Sequence, residues 1–351
     1  MRASLPELPP PPPETLTTRL AYLRYLAVWE AAARVPDPIA RRLPAQVGRA
    51  WYVGASRRQR TQVRRNLRRV APDASPSELT ELVRAAYVSY ARYWLDSFRL
   101  HTMDAAEVVA ATPEEGLHHV DAIRDSGLGG VLATAHLGSW DVGAFYTAQR
   151  DWGMVVVAEV LEPRRLFERF VALRQQAGID VIPLVPGGDM IDQLEARVRE
   201  RGQLATLLAD RDLTRKGPIV EFFGEPCRLP PGTAALARRT GRPVAVGAFL
   251  TEGDGFRGVV QEPIDIASRS VYDGTQAVAT ELERLIGRSP EQWHVFVRNW
   301  LADREPDHPV VAAWRRGEDW RSLAREERAR TVRHEAAERD QAERDGTDRS
   351  G

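Results

Sequence analysis

The fold of this chain is decided by residues 129–141, which read GGVLATAHLGSWD. The short apolar run predicts a buried strand, and it ends at a polar, titratable residue, His136. Small residues follow, and a helical pattern begins at about Trp140. A strand, a tight turn and a helix start in this order place His136 at the carboxyl end of a strand, where open α/β sheets usually bind their ligands.

Asp141 follows His136 by five residues. Positions i and i+5 do not face each other on one helix, so the two side chains can meet only if His136 precedes the helix. The predicted turn at Gly138 allows that. A carboxylate on one imidazole nitrogen fixes the tautomer and stabilises the imidazolium, so the pair would suit deprotonation of an alcohol. The spacing is also compatible with a capping Asp beside a structural His.

Beyond the first strand, predicted helices and strands alternate along the chain. The helices are predicted over 140–150, 163–177, 189–201 and 231–241, and the strands over 154–159, 180–183, 203–209 and 244–251. This order predicts an α/β fold with a mostly parallel central sheet and helices on both faces. Residues 253–258 match a dinucleotide-binding pattern, but a strand follows them, so we interpret them as a hairpin turn.

The pattern divides the chain into four regions. Residues 1–14 are a proline-rich, flexible leader, 15–110 a helical and partly basic region, 111–305 the catalytic α/β core and 306–351 a charged tail. The part from Arg315 onward would be a solvated helix or a disordered tail. We expect 15–305 to pack as one domain.

Composition excludes several classes of function. The formal net charge is zero, so no overall field attracts nucleic acid. The single Cys227 excludes an internal disulfide, and the Cys and His spacings offer no metal site. The sequence contains no stretch of about 18 apolar residues, which is the length needed to span a bilayer.

The charge is nevertheless uneven, because residues 41–69 contain ten arginines and no acidic residue. Trp51 and Tyr52 lie among them. A basic surface with aromatic residues indicates contact with an anionic membrane. The alternative is a solvated helical face with a few core anchors. Nucleic acid ranks third, because no recognised nucleic-acid-binding fold accompanies the region.

Other polar residues lie at predicted strand ends. Glu159 ends the strand over 154–159, Asp210-Arg211-Asp212 ends the strand over 203–209, and Arg174 lies on the helix between them. Polar groups at the carboxyl ends of parallel strands point into one crevice, although such residues are also common in ordinary loops.

A second informative stretch covers residues 221–237. Phe222 and Phe223 suggest a hydrophobic lip, and the loop after them runs into a helix that begins near Gly232 and Thr233. A helix amino terminus can offer amides to a developing oxyanion. Ordinary loop chemistry with a capped helix is the alternative.

Several segments together resemble the bacterial lysophospholipid/glycerolipid acyltransferase superfamily. They are the His-x4-Asp of 136–141, Asp-Arg-Asp at 210–212, Phe-Phe-Gly-Glu-Pro at 222–226 and Pro-Gly-Thr-Ala at 231–234. Residues 158–163, 166–170, 207–214 and 292–296 are similar to the branch of actinobacterial phosphatidylinositol mannoside acyltransferases. The similarity runs from about Leu16 to Trp300.

The resemblance implies a role for each of these positions. His136 is the general base and Asp141 its orienting partner, while Glu159, Arg174 and Arg211 line the acceptor or donor groove. Asp210 takes the place of a Glu that helps to position the His in the related enzymes.

The implied reaction moves an acyl group from acyl-CoA to a sugar hydroxyl of a membrane glycolipid, without a cofactor. The enzyme would lie peripherally on the cytoplasmic face of the plasma membrane. An acyl-carrier-protein-dependent lipid A-type enzyme, a thioesterase and a non-catalytic lipid-binding relative are the alternatives.

Overall fold

The computed structural model describes residue 8, residues 14–185 and residues 188–347, with side chains as far as residue 333. Most of the leader predicted over 1–14 lies outside the described residues. The chain begins with a group of helices: α1 (Leu16–Ala33), α2 (Asp37–Ala40), α3 (Leu43–Gly54), α4 (Arg57–Val70), α5 (Pro76–Arg99) and α6 (Ala105–Ala111). The predicted N-terminal helical region is therefore confirmed.

Strands and helices alternate in the rest of the chain. The strands are β1 (Glu114–Glu115), β2 (Gly130–Thr134), β3 (Met154–Glu159), β4 (Asp180–Leu184), β5 (Leu204–Leu208), β6 (Ile219–Phe222), β7 (Glu225–Arg228), β8 (Val244–Glu252) and β9 (Gly255–Val260). The helices are α7 (His118–Asp125), α8 (Trp140–Gln149), α9 (Arg164–Gln176), α10 (Met190–Arg201), α11 (Gly232–Thr240), α12 (Val271–Arg288), α13 (Leu301–Arg304), α14 (Pro309–Arg315) and α15 (Trp320–Thr347).

Within the described chain the main sheet has seven strands in the order β1-β9-β8-β2-β5-β3-β4. All neighbours from β8 to β4 are parallel, whereas β9 runs antiparallel to β8. The mostly parallel sheet predicted from the sequence is thus confirmed, and so is the hairpin turn between β8 and β9. β6 and β7 form a separate antiparallel pair.

Both faces of β2 are covered, so every residue of this strand is buried. Val131 and Ala133 point into a core shared with α10, α11 and α12. Leu132 points to the other face, where it packs with Val142 and Tyr146 of α8. The period of two along a strand thus separates two apolar layers.

The turn between β2 and α8 requires glycine. Gly138 has a φ of +66°, which favours glycine, and a Cβ there would lie 2.2 Å from the carbonyl oxygen of Phe249. The chain can therefore pass close to β8 before α8 begins, and this path fixes the position of His136.

Helices α14 and α15 extend this core beyond residue 305. Val310, Val311 and Trp320 are buried in the same apolar cluster as β2. The chain after Trp320 is helical as far as Thr347.

Candidate active site

His136 and Asp210 occupy equivalent positions after neighbouring strands. β2 ends at Thr134 and β5 at Leu208, and these two residues pair in the parallel ladder. Each functional side chain follows two residues later, so the register brings them together across 74 positions. Nδ1 of His136 lies 2.8 Å from Oδ1 of Asp210, and the backbone N–H of His136 donates to Oδ2 at 2.9 Å. No described hydrogen bond involves Nε2 of His136.

Asp210 is fully buried and fixed by a third donor. The indole N–H of Trp293 binds its Oδ2 at 2.8 Å, and Asn299 binds its backbone carbonyl at 2.9 Å. Burial opposes ionisation of Asp210, but its interaction with His136 and the hydrogen bonds from His136 and Trp293 outweigh burial and lower its pKa. An ionised Asp210 keeps the proton of a neutral His136 on Nδ1, which leaves Nε2 able to accept one.

A second histidine, His294, forms a wall of the site. Its backbone N–H donates to the carbonyl oxygen of His136 at 2.7 Å, and its ring stacks on Tyr90 with centroids 4.7 Å apart. Its Nε2 lies 2.9 Å from the Ser89 hydroxyl. Burial, together with the nearby His136, lowers the pKa of His294 to about 3. His294 is therefore neutral at physiological pH.

The expectation that Asp141 orients His136 is wrong. Its Oδ1 accepts two hydrogen bonds from the Arg174 guanidinium, at 2.7 and 3.1 Å. Its Oδ2 accepts from the hydroxyls of Tyr93 and Ser97, at 2.8 and 3.3 Å. No described hydrogen bond joins Asp141 to His136. Asp141 lies in the first turn of α8, and its side chain faces α5 and α9, so its donors come from those helices.

An apolar cavity of about 120 Å³ lies between α8 and the sheet. Trp140 lines it, and the Trp140 ring lies 5.4 Å from the His136 ring, nearly edge-on. Leu132 of β2 and Phe249 of β8 contribute to its walls. The Asp141–Arg174 pair also lines the cavity, so its surface is apolar apart from a charged group at one place.

Comparisons with known proteins show the family of this chain. The model of the family described as bacterial lipid A biosynthesis acyltransferase matches residues 12–302. The chain belongs to this family. It is 36% identical over 301 residues to a phosphatidylinositol mannoside acyltransferase of Mycobacterium tuberculosis, covering 85% of this chain and 94% of the relative. A Mycolicibacterium smegmatis protein of the same name is 35% identical over 283 residues, covering 80% and 91%.

The remaining strand-end residues of this acyltransferase have different surroundings. Glu159 is exposed, and no described hydrogen bond or ion pair involves its side chain. Arg211 directly follows Asp210 and is half-buried. Asp212 is buried and accepts hydrogen bonds from the backbone N–H groups of Thr214 and Gly217, both at 2.8 Å. Asp212 therefore holds a turn, and no described contact supports the substrate-binding role expected for it.

The predicted hydrophobic lip is also wrong for Phe222, which is fully buried. Its ring packs against Trp300 and Trp293, with centroids 5.9 and 6.0 Å apart. Phe223 is half-buried and contacts the same Trp293. Because Trp293 donates to Asp210, the packing of these phenylalanines against Trp293 helps to fix the position of the Asp210 carboxylate.

Gly232 and Thr233 begin α11, as the sequence predicts. Thr233 is 3% exposed, and α11 packs in the apolar layer that contains Val131. The cavity beside His136 lies on the opposite face of the sheet, under α8. No described contact joins the amino terminus of α11 to His136, so the oxyanion role expected there is not supported by a contact.

Sequence reasoning missed Trp293 and Tyr93 as functional residues. Trp293 lies in 292–296, a segment that the resemblance marks without giving it a role. Tyr93 lies on α5 in ring contact with Tyr90 and Trp94, and its hydroxyl binds Asp141. The Trp293-His294 pair in a loop could have indicated a site residue, because a buried indole N–H needs a hydrogen-bond acceptor.

Cys227 and possible metal ligands are the other candidates for reactive groups. Cys227 is fully buried, and burial raises the pKa of its thiol, so it is not disposed to form a thioester. In the described part of the chain no three His, Cys, Asp or Glu side chains are grouped to hold a metal ion.

Proposed function

We propose that this acyltransferase moves a fatty acyl group from acyl-CoA to a sugar hydroxyl of a phosphatidylinositol mannoside-type glycolipid. The observation that carries the proposal is the His136–Asp210 pair, in which Nδ1 of His136 lies 2.8 Å from the carboxylate and no described hydrogen bond involves Nε2. The names and the 35–36% identity of the curated relatives support the acceptor class.

The structure suggests a direct transfer with His136 as general base. Nε2 of His136 takes the proton of the acceptor hydroxyl while the oxygen attacks the thioester carbonyl. The carbon–sulfur bond then breaks, and the CoA thiolate leaves and takes the proton from the imidazolium. Asp210 stabilises the imidazolium through Nδ1–H. Such a base contributes about 10²–10⁴-fold to the rate, and the thiolate leaves readily because thiol pKa values lie near 8.5.

The apolar cavity beside His136 is the proposed site of the acyl chain. Its walls are mostly aliphatic and aromatic, and Trp140 connects it to the His136 ring. A chain buried there would place its carbonyl near the mouth, at the catalytic nitrogen. The hydrophobic effect favours this burial by about 0.8 kcal/mol per methylene.

A membrane surface is the proposed place of action, on the cytoplasmic face and without a spanning segment. Among the described helices, none has the length and apolar character needed to cross a bilayer. Leu16 and Leu23 of α1 and Val53 of α3 are exposed by 73%, 55% and 74%. Exposed aliphatic residues on helices that also carry arginine, such as Arg19 and Arg24 of α1, are suited to the interface of an anionic bilayer.

The first test is release of CoA from palmitoyl-CoA, with and without phosphatidylinositol mannosides. We expect release that depends on the glycolipid and falls by at least 10²-fold in His136→Ala. His101→Ala is the matched control, because His101 is exposed and makes no described contact with the site. Release that the glycolipid does not raise would indicate a thioesterase, and no release from wild type would reject an acyl-CoA donor.

Membrane docking is tested by sedimentation with vesicles that contain phosphatidylinositol. Replacing Leu16, Leu20 and Leu23 together by Ser should weaken binding at least tenfold, because these side chains lose their apolar contact with the bilayer. Leu128→Ser is the control, since Leu128 is equally exposed but lies in the loop before β2. Unchanged binding of the triple variant would reject α1 as the docking element.

A further inference from the structure

A groove rich in arginine adjoins the active site. It has a volume of about 910 Å³, and it is formed by α4, by the loop after β5 and by residues 296–304. Its arginines, which define the arginine groove, are Arg57, Arg58, Arg65, Arg211, Arg215, Arg298 and Arg304. No acidic side chain is among the described residues that line it.

Most of this charge is not neutralised by the protein. No described hydrogen bond or ion pair involves the guanidinium groups of Arg57, Arg58, Arg215 or Arg298, all of which are exposed. Arg304 donates only to the backbone carbonyl oxygen of Asp212, at 3.0 Å. Gathering like charges in a concave site costs free energy and focuses a positive potential there. One solvated helix face does not explain the groove, because its arginines come from three separate segments.

The amino terminus of α4 adds to the positive potential. Ser56 caps the helix, and its first turn contains no acidic residue. Arg57 and Arg58 stand instead where the helix dipole is already positive, an arrangement that is locally unfavourable. The first backbone N–H groups of a helix have no partner within it, and they are suited to a bound anion. Two independent features therefore point to an anionic occupant.

The position of the groove relates this occupant to the reaction. Arg211 directly follows Asp210, which holds His136. Phe296 lines the groove and contacts Tyr90, which stacks on His294 beside the catalytic imidazole. Trp140, which lines the apolar cavity, has its ring 5.4 Å from the ring of His136. A molecule with an apolar chain and a phosphate-bearing end could occupy both sites with its reactive group at His136.

We propose that the arginine groove binds the phosphate groups of a substrate. Arginine suits them because its planar guanidinium binds phosphate oxygens in pairs. Phosphates are carried by the nucleotide end of CoA and by the headgroup of a phosphoinositide, and both sources share this chemistry. The arginine groove could bind phosphate whether or not the proposed function is correct. The assignment of the bound molecule as a substrate rests on the proposed function.

The test compares Arg215→Gln/Arg298→Gln with wild type by titration calorimetry. The probes are adenosine 3′,5′-bisphosphate and inositol 1-phosphate at low ionic strength. We expect wild type to bind at least one probe, and the double variant to bind it at least tenfold more weakly. Arg238→Gln/Arg269→Gln is the matched control, because these arginines are exposed, have no described ion pair and lie outside the groove. Thermal unfolding checks that both variants fold.

Steady-state kinetics then distinguish the sources. A higher KM for palmitoyl-CoA with an unchanged kcat assigns the groove to the nucleotide, and a higher KM for the glycolipid assigns it to the headgroup. If wild type binds neither probe at millimolar concentration, or if the double variant binds both as wild type does, the proposal is wrong. If wild type binds a probe but transfers no acyl group, the proposed function is rejected, whereas phosphate binding by the arginine groove is supported.

Discussion

Asp210 and Asp141 are both buried aspartates close to His136, but their partners differ. Asp210 is held by the imidazole of His136 and the indole of Trp293. Asp141 is held by the guanidinium of Arg174 and by the hydroxyl of Tyr93. A carboxylate that faces a base able to lose its proton can take part in proton transfer, whereas one that faces a permanently charged arginine is an anchor. The partner, more than the burial, decides the role.

The comparison also explains why proximity in sequence misleads here. Asp141 is five residues from His136 but lies on a helix that turns it toward α5 and α9. Asp210 is 74 residues away, yet the register of β2 and β5 brings it into contact. A His–Asp spacing along a chain therefore indicates a site without identifying which carboxylate contacts the imidazole.

Asp210→Asn should give the largest effect on catalysis. An amide cannot stabilise the imidazolium and favours the wrong tautomer, and the equivalent change in a Ser-His-Asp triad lowers kcat by about 10⁴-fold. We expect a loss of about 10³–10⁴-fold in glycolipid-dependent CoA release. Asp212→Asn, at a buried turn carboxylate, is the control for a general loss of folding. A loss of less than tenfold would show that Asp210 does not assist His136.

Asp141→Asn should act mainly on stability. Removing one partner of a buried ion pair typically costs about 3–5 kcal/mol, so urea unfolding should shift by that order. The loss of kcat per folded molecule should be smaller than in Asp210→Asn. In a double-mutant cycle, Asp141→Asn should lower the free energy of unfolding much less in the Arg174→Met variant than in wild type. Additive costs would show that the pair is not coupled.

Acid pH should distinguish the surroundings of the two aspartates, because His294 beside the His136–Asp210 pair titrates and Arg174 beside Asp141 does not. In the unfolded chain His294 has its usual pKa of 6.5 and binds a proton below that pH. In the folded chain burial lowers its pKa to about 3. Stability should therefore fall as pH is lowered between these values, with His294 contributing up to about 1.4 kcal/mol per pH unit. Arg174 stays charged throughout and contributes no such slope.

The measurement is urea unfolding at pH 6, 5 and 4. His294→Phe keeps the contact with Tyr90 but removes the titrating group, so its stability should depend less steeply on pH than that of wild type. His101→Phe, at an exposed position, should keep the wild-type slope. Parallel curves for wild type and His294→Phe would contradict the neutral, buried state of His294.

Most of the fold could be predicted from local pattern. The strand over 154–159 has the bounds that the sequence indicates, and the other elements of the core differ by a few residues. Caps explain this success: Ser75 and Glu78 form a capping box at the start of α5, with Pro76 in its first turn. Such signals act within one turn and need no tertiary contact.

The arginine-rich region shows where local pattern stops being informative. By its composition, the segment 41–69 is one basic region, but the arginines of this segment have different environments in the structure. Arg69 is largely buried in ion pairs with Asp303 and Glu225, at 2.6 and 2.9 Å. Arg57 and Arg58 instead face the arginine groove. Only the packing of α4 against distant segments assigns them to structure or to binding.

The sequence by itself determined that His136 lies at the carboxyl end of a buried parallel strand and that the chain belongs with acyl-transferring enzymes. Those features depend on apolar period, turn residues and motif order, which are local properties. Tertiary structure alone decided that Trp293 holds Asp210 and that Asp141 binds Arg174 instead of His136. The reason is physical: hydrogen bonds over 2.7–3.1 Å depend on strand register and helix orientation, and these are set by packing across the whole core.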